Sequence, residues 1–316
     1  MMKDIVVFGA SGFIGGEIYE YFKNRDRLLF GTCFSADEGD LVRFDLNEPD
    51  LGTLDLNGVR YAIITSSVTS IDKCHNDSER AYEINVSGTK SLIGQLWRRG
   101  IVPIWFSSDY VFDGERGRYN EMDDKNPCNV YGEHKKKIED FLLESTGKTD
   151  NSGVESVFSV CPKPKKYRPI KGFVHDKEFL ILRLSKVYSV DLEKNSILSD
   201  TVRRLRNGES INCFRDQILS FTDVRDIPVC VELMIDRGLR GLYNLAAPES
   251  FSRFEFARMV KEKLNIEEGE VKSCNLSDIK LPFRLPKDIS LDVGKLLREI
   301  NFKFRSVEEN LGEVRS

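Results

Sequence analysis

The sequence lacks a charge excess, a long apolar run, a paired-cysteine motif and all but a few histidines, and each absence removes a class of function. Its 47 Lys and Arg stand against 51 Asp and Glu, a formal balance of −4. A nucleic-acid binder neutralises phosphates with a strongly basic face, which this near-even mixture of signs does not supply. Nucleic acid is excluded as a partner. No uninterrupted apolar stretch approaches the roughly 20 residues that span a bilayer, so a soluble protein with no membrane partner is expected. The run from Ile5 to Gly16 after Lys3 imitates a signal peptide, but Asp4 interrupts the basic region and Glu17 follows at once. His75, His134 and His175 are dispersed, each expected at a surface, and no metal site is expected. The seven cysteines (Cys33, Cys74, Cys128, Cys161, Cys213, Cys230 and Cys274) are odd in number and form no CxxC pair. They read as reduced thiols of a cytoplasmic protein rather than a disulfide frame or a zinc site.

With 316 residues the chain suits one large or two intimately packed domains. From Asp4 onward, short β-rich apolar runs alternate with amphipathic segments, the pattern of βαβ units and a parallel sheet. Strands are expected at Ile5–Phe8, Leu28–Thr32, Tyr61–Thr65, Val102–Ser107 and Phe179–Leu184, and helices at Ser11–Lys23, Ser78–Arg99 and Val130–Glu144. The segment from Ser145 to Lys177 has little periodicity and a basic, proline-rich middle from Cys161 to Lys171, and reads as an insertion. The plainer reading is a solvated surface loop; the alternative is a cationic lid over an anionic substrate. Beyond it come helices Ser196–Asn207, Asp223–Asp236 and Ser252–Leu264 and strand Leu242–Leu245, too few elements for a second sheet of any size. The expected class is therefore α/β: a Rossmann-type doubly wound parallel sheet over residues 1–184, carrying the insertion near 145–177. A smaller α/β substrate-binding lobe over 185–316 is interleaved with it.

The first strand runs into Gly9-Ala-Ser-Gly12-Phe-Ile-Gly15, a glycine-rich turn that opens a helix, which is the placement a dinucleotide requires. Gly9 allows the tight turn, Gly12 lets the backbone approach a pyrophosphate, and Gly15 lets the helix pack on the strand. The helix N-terminus then offers free N–H groups and a positive dipole end to the phosphates. After the second strand, Gly31-Thr-Cys-Phe-Ser35 has no carboxylate for an adenosine ribose and no arginine for a 2′-phosphate, the nearest downstream being Arg43. NADPH is preferred to NADH on the missing carboxylate alone. In Tyr131-Gly-Glu-His-Lys135 the tyrosine and lysine share one helix face at i and i+4. A phenol of pKa about 10 is a poor acid at neutral pH, and a neighbouring ammonium lowers it towards the working range. Ser107-Ser-Asp-Tyr-Val-Phe-Asp-Gly114 begins where a strand ends, at the ligand-binding edge of such a sheet, so a hydroxyl can meet a substrate oxygen beside the tyrosine.

These residues resemble the extended short-chain dehydrogenase/reductases that act on nucleotide sugars, and among them the dTDP-4-dehydrorhamnose reductases. The resemblance rests on Gly9 to Gly15, Thr69 to Lys73, Asn85 to Gly88, Ser107 to Gly114, Pro127 to Gly132 with Lys135, Leu180 to Tyr188, Gly241 to Leu245 and Arg284 to Pro286. It implies an NAD(P)H-dependent reductase of a keto group on a nucleotide-activated sugar, serving surface polysaccharide biosynthesis, with assembly as a homodimer left open. By the same resemblance, Tyr131 is the proton donor, Lys135 holds the nicotinamide ribose and tunes Tyr131, and Ser108 orients the keto oxygen. Gly12, Phe13 and Ile14 contact the pyrophosphate, with Gly9, Ser11 and Gly15 also in the cofactor-binding loop, Asp45 and Leu46 contact the adenine, and Ser66, Ser67 and Thr69 the middle of the cofactor. Asp109 and Lys186 face the sugar nucleotide.

The chain departs from the pattern at Lys186, often aromatic in the rhamnose enzymes, at Ser66-Ser67, where alanines are usual, and in the insertion. Asp109 is followed by Tyr110 rather than by the second acid that sugar dehydratases use, and no cysteine follows the serine pair to epimerise before reduction. Two alternatives are carried forward. The family also holds a regulatory subunit of methionine adenosyltransferase, which binds the cofactor without catalysis, and epimerases that keep NAD tightly held.

Overall fold

The computed structural model describes residues 3–35, 39–145 and 177–314. The insertion expected from Ser145 to Lys177 lies almost wholly outside them. The chain forms two compact units: Met1–Phe106 with His134–Ile181, and Ser107–Glu133 with Leu182–Ser316.

In the first unit, β1 (Ile5–Phe8) pairs in parallel with β2 (Leu28–Cys33) on one side and β4 (Tyr61–Ile64) on the other; β3 (Val42–Arg43) lies beyond β2, and β5 (Val102–Ser108) beyond β4. β1 and β4 are buried throughout, as continuous apolar strands covered on both faces should be. With β6 (Leu180–Leu184) and β10 (Gly241–Asn244) the sheet runs β10-β6-β5-β4-β1-β2-β3. The chain leaves the first unit within β5 and again within β6, after Phe106 and Ile181. In the second unit β10 follows the later half of β6, and just past it Leu245 N–H reaches the Arg183 carbonyl at 2.8 Å. The strand foreseen at Leu242–Leu245 thus belongs to the large sheet.

Helix α1 (Phe13–Lys23) starts two residues later than the sequence suggests, because Gly12 is extended and serves as its N-cap. Ile18 and Phe22, at i and i+4, are buried with Gly15. The single helix expected over Ser78–Arg99 is composite. After α2 (Ile71–Asn76), capped by the Ser70 hydroxyl, come α3 (Ser78–Tyr82), a π-turn over Glu83–Gly88, and α4 (Thr89–Trp97). The π-turn aims Asn85 inward and brings Gly88 against the loop after β3, where a Cβ would stand 1.8 Å from the Leu46 carbonyl oxygen. Helix α5 (Val130–Ser145) has the expected extent.

The second unit holds a three-stranded sheet, β11-β9-β7, and a two-stranded one, β12-β8, which the sequence pattern did not reveal. Their strands are β7 (Lys186–Tyr188), β8 (Ser210–Phe214), β9 (Ile218–Asp223), β11 (Ser250–Ser252) and β12 (Glu270–Cys274). Asp223 was expected to open a helix, yet it closes β9, and α7 starts only at Asp226 (Asp226–Asp236), after α6 (Ile197–Arg206). The reason is electrostatic: the buried Asp223 carboxylate accepts both the Arg225 backbone N–H at 2.8 Å and its guanidinium at 2.7 Å, which shapes the turn. Ser-x-x-Glu capping boxes start α8 (Arg253–Lys263) at Ser252 and Glu255 and, after α9 (Gly294–Ile300), start α10 (Val307–Leu311) at Ser306 and Glu309. The core of this unit is mostly aliphatic and holds two stacked aromatic pairs, Phe221 on Phe256 at 4.2 Å and Phe112 on Tyr119 at 4.2 Å.

Two alanine substitutions in one helical stretch should move stability in opposite directions. Gly88→Ala drives a methyl into the Leu46 carbonyl and should cost about 1–3 kcal/mol. Gly94→Ala meets nothing within 4 Å and should gain up to about 1 kcal/mol from helix propensity. Urea unfolding midpoints check both signs.

Candidate functional site

The residues singled out by the sequence fall into two groups. In the first unit they surround a cleft of about 740 Å³ over the carboxyl ends of β1, β2 and β4. The glycine loop forms its floor. Gly9 has φ +90°, and a Cβ there would stand 2.7 Å from the Ser66 hydroxyl and 2.8 Å from its backbone nitrogen. Gly15 is packed beneath the loop, where a Cβ would stand 2.0 Å from the Gly9 carbonyl oxygen. At Gly12 a Cβ would meet only that same oxygen, at 3.3 Å, so the side above the helix N-terminus is kept clear. Thr32 holds the loop from β2 by accepting the Gly9 N–H at 3.2 Å, and Thr65, just past β4, donates to the Phe8 and Gly9 carbonyls. A bare helix N-terminus behind a cleared backbone is a fit for a pyrophosphate.

Of the residues expected to hold a dinucleotide, Gly9, Ser11, Gly12, Asp45, Leu46, Ser66 and Ser67 line this cleft. Phe13, Ile14, Gly15, Thr69, Tyr131 and Lys135 do not: Gly15 is buried under the loop, Thr69 lies exposed just past the lining residue Val68, and Tyr131 and Lys135 stand on α5. Residues that the sequence reading did not assign also line it, among them Thr32, Phe34, Phe44, Asn47 and Arg80. Arg80 comes from α3 rather than from the turn after β2, and Asp45, Asp77, Glu79 and Glu83 give the lining its carboxylates.

A buried amide shapes the loop that follows β4. Asn85 Oδ1 accepts the Ser67 hydroxyl at 3.0 Å and the Val68 N–H at 2.8 Å, while its Nδ2 donates to the Val68 carbonyl at 2.9 Å. The same Nδ2 lies 3.5 Å from His134 Nδ1 on α5. His134, expected at a surface, is buried, and burial with two lysine neighbours lowers its pKa to about 4. A neutral ring can then accept from Asn85. Next to it, Lys135 is buried, donates to the Phe106 carbonyl at 2.8 Å and lies over the Trp105 ring at 4.7 Å. Burial lowers its pKa to about 8, with Cys74 and Glu139 opposing.

The second unit brings together Ser108, Asp109, Tyr110, Tyr131, Ser185 and Lys186. Ser108 ends β5 and donates to Asp109 Oδ1 at 2.9 Å. Asp109 is 2 % exposed, and its other oxygen accepts the Ser185 hydroxyl at 2.6 Å. Burial raises its carboxyl to about 7 despite hydrogen bonds from Ser185 and Ser108 and the Lys186 charge. Lys186, on β7, is lowered to about 8 by burial and by Arg253, with Asp109 opposing. Tyr110 is pushed up to about 12 by burial. Its ring stands edge-on to Tyr131, centroids 5.9 Å apart. What seats Tyr131 is its neighbour Gly132: a Cβ there would meet the Tyr110 carbonyl oxygen at 2.1 Å. The Gly132 N–H is taken by Asn129 Oδ1 at 3.0 Å. Tyr131 and Lys135 are thus one helical turn apart on α5.

Among the described residues no three His, Cys, Asp or Glu are grouped to hold a metal ion, and no helix is long and apolar enough to cross a membrane.

Residues 2–151 and 173–316 match the family model described as the RmlD substrate binding domain. The stretch it leaves out lies within the basic insertion. The chain is 23 % identical to a probable low-salt glycan biosynthesis reductase of Haloferax volcanii, over 98 % of this chain and 96 % of the relative. It is equally 23 % identical to the methionine adenosyltransferase 2 subunit beta of Bos taurus, over 93 % of this chain and 81 % of that one. Among solved structures, the dTDP-4-dehydrorhamnose reductase of Bacillus anthracis in complex with NADP shares the fold, with a TM-score of 0.75, 22 % identity and 99 % of each chain covered.

The glycine geometry separates ligand binding from folding. Gly12→Ala should leave the unfolding temperature unchanged while weakening dinucleotide binding by about tenfold or more, measured by calorimetry. Gly15→Ala should instead lower the unfolding temperature, because its methyl has nowhere to go.

Proposed function

Because this chain belongs to the RmlD substrate binding domain family, we propose that it is an NAD(P)H-dependent reductase of a keto group on a nucleotide-activated sugar. The observation that carries the reading is α5, which presents the Tyr131 phenol and the Lys135 ammonium one turn apart, with Tyr131 in the same unit as the Ser108–Asp109 pair.

In this reading the glycine loop from Gly9 to Gly15 and the α1 N-terminus hold the pyrophosphate, Asp45 and Leu46 the adenine end, and Ser66, Ser67 and Thr69 the middle. The bound dinucleotide supplies the hydride. Lys135 holds the ribose hydroxyls, and its charge next to Tyr131 favours loss of the phenolic proton. At neutral pH it remains mostly charged, since its lowered value still lies near 8. Tyr131 gives its proton to the keto oxygen, which Ser108 orients. Asp109 and Lys186 stand on the sugar-nucleotide side. The protein's work is placement and electrostatics around a reaction whose hydride chemistry belongs to the cofactor.

The Haloferax relative's name favours a reductase acting in glycan biosynthesis, and the NADP bound to the Bacillus anthracis enzyme favours NADPH. A second reading rests on the bovine relative: a regulatory subunit that keeps the dinucleotide cleft and works by binding a partner enzyme. The presence of Ser108, Tyr131 and Lys135 together favours the enzyme.

Decay of NADPH or NADH absorbance on adding nucleotide-linked keto-sugars tests the proposal. Tyr131→Phe should lower kcat by about 10²–10⁴-fold with dinucleotide affinity preserved. Inertness towards every such sugar, combined with co-purification of a partner enzyme, would favour the regulatory reading.

A further inference from the structure

A serine hydroxyl has one hydrogen to give and two lone pairs to receive with. At Ser108 that hydrogen is committed: it goes to Asp109 Oδ1 at 2.9 Å, while the oxygen receives the Tyr110 N–H at 3.3 Å. A keto oxygen placed beside Ser108 in this state would meet a lone pair and not a donor. On the far side, Asp109 Oδ2 is occupied by the Ser185 hydroxyl at 2.6 Å, and Ser185 itself accepts the Ser220 N–H at 3.1 Å. Ser185 therefore points its hydrogen at Asp109, and a proton added to the carboxyl goes to Oδ1, towards Ser108.

We propose that Asp109 is a positioning residue that sets the direction of the Ser108 hydrogen, so that Ser108 donates to a substrate keto oxygen only while Asp109 carries a proton. Protonated on Oδ1, Asp109 becomes the donor to the free lone pair of Ser108, and the hydroxyl hydrogen is released to turn to the substrate. The inference rests on the reading of Ser108 as the group that orients the keto oxygen. Several groups bear on this proton. The Ser108 and Ser185 hydroxyls, the Tyr110 N–H and the Lys186 ammonium favour the carboxylate. Arg253, at the start of α8, acts on Lys186 and on the Tyr110 phenol and is itself held by Gln217. Burial opposes the charge and wins, bringing the carboxyl to about 7. Since the acid's value is raised, the proton is present below that pH and lost as pH rises through it, so donor competence follows the same direction.

The test is the pH dependence of kcat/KM. The parent protein should lose about tenfold per pH unit above about 7. In Asp109→Asn the amide NH₂ can face Ser108 and its oxygen can accept from Ser185. Whatever its absolute rate above that of Ser108→Ala, the kcat/KM of that variant should stay level with pH until Lys135 loses its charge near 8. Lys186→Met, which removes a cation favouring the carboxylate, should move the fall to higher pH. An Asp109→Asn variant that retains the parent fall, or that is as inactive at every pH as Ser108→Ala, overturns the proposal. A second readout needs no substrate: in protein labelled with ¹³C-aspartate, Ser108→Ala should raise the titration midpoint of the Asp109 carboxyl. An unmoved midpoint overturns the coupling. A moved midpoint in a protein that reduces no keto-sugar upholds the coupling and sinks the functional reading alone.

Discussion

The seating of α5 governs the chemistry of this protein. Gly132 lies so close to the Tyr110 carbonyl that a single methyl group could not be accommodated, and Asn129 fixes the helix start by binding the Gly132 N–H. That approach sets Tyr131 edge-on to Tyr110, in the turn that also carries Ser108 and Asp109. Helical periodicity then places Lys135 one turn further on, where the Phe106 carbonyl and the Trp105 ring hold its ammonium. A helix displaced here would misplace the phenol and the ammonium together, since they share one backbone.

Much of this was legible in the sequence, and the exceptions have physical causes. The strand, glycine turn and helix from Ile5 to Lys23 follow from local pattern alone, as do the extent of α5 and the i, i+4 spacing on it. What stayed hidden depends on long-range contact. Arg80 reaches the cleft from a helix that local periodicity can place along the chain but not at the cleft. Asn85 looks like any polar residue of a helix until the π-turn aims it at Val68. The three-residue strands β7 and β11 are too short for alternation to be read, and all five strands of the small sheets pair with partners distant in sequence. His134 was misplaced because a histidine among lysines suggests a solvated face, whereas its neighbour Lys135 is buried too.

Burial shifts the protonation of Lys135, Lys186 and Asp109. Lys135 and Lys186 are both lowered to about 8 and Asp109 is raised to about 7, each with desolvation as the largest cause. Groups poised near neutrality in this way can exchange protons at modest cost, which is the condition for acid–base work. A solvated helix face carrying the same residue types would leave them at their ordinary values.

The most direct test of the account is isotopic. NADPH or NADH deuterated at the transferring position is incubated with a nucleotide-linked keto-sugar, and the product is weighed by mass spectrometry. The account predicts one deuterium in the product sugar, lost together with turnover in Tyr131→Phe. Dinucleotide binding without deuterium transfer to any such sugar would contradict it.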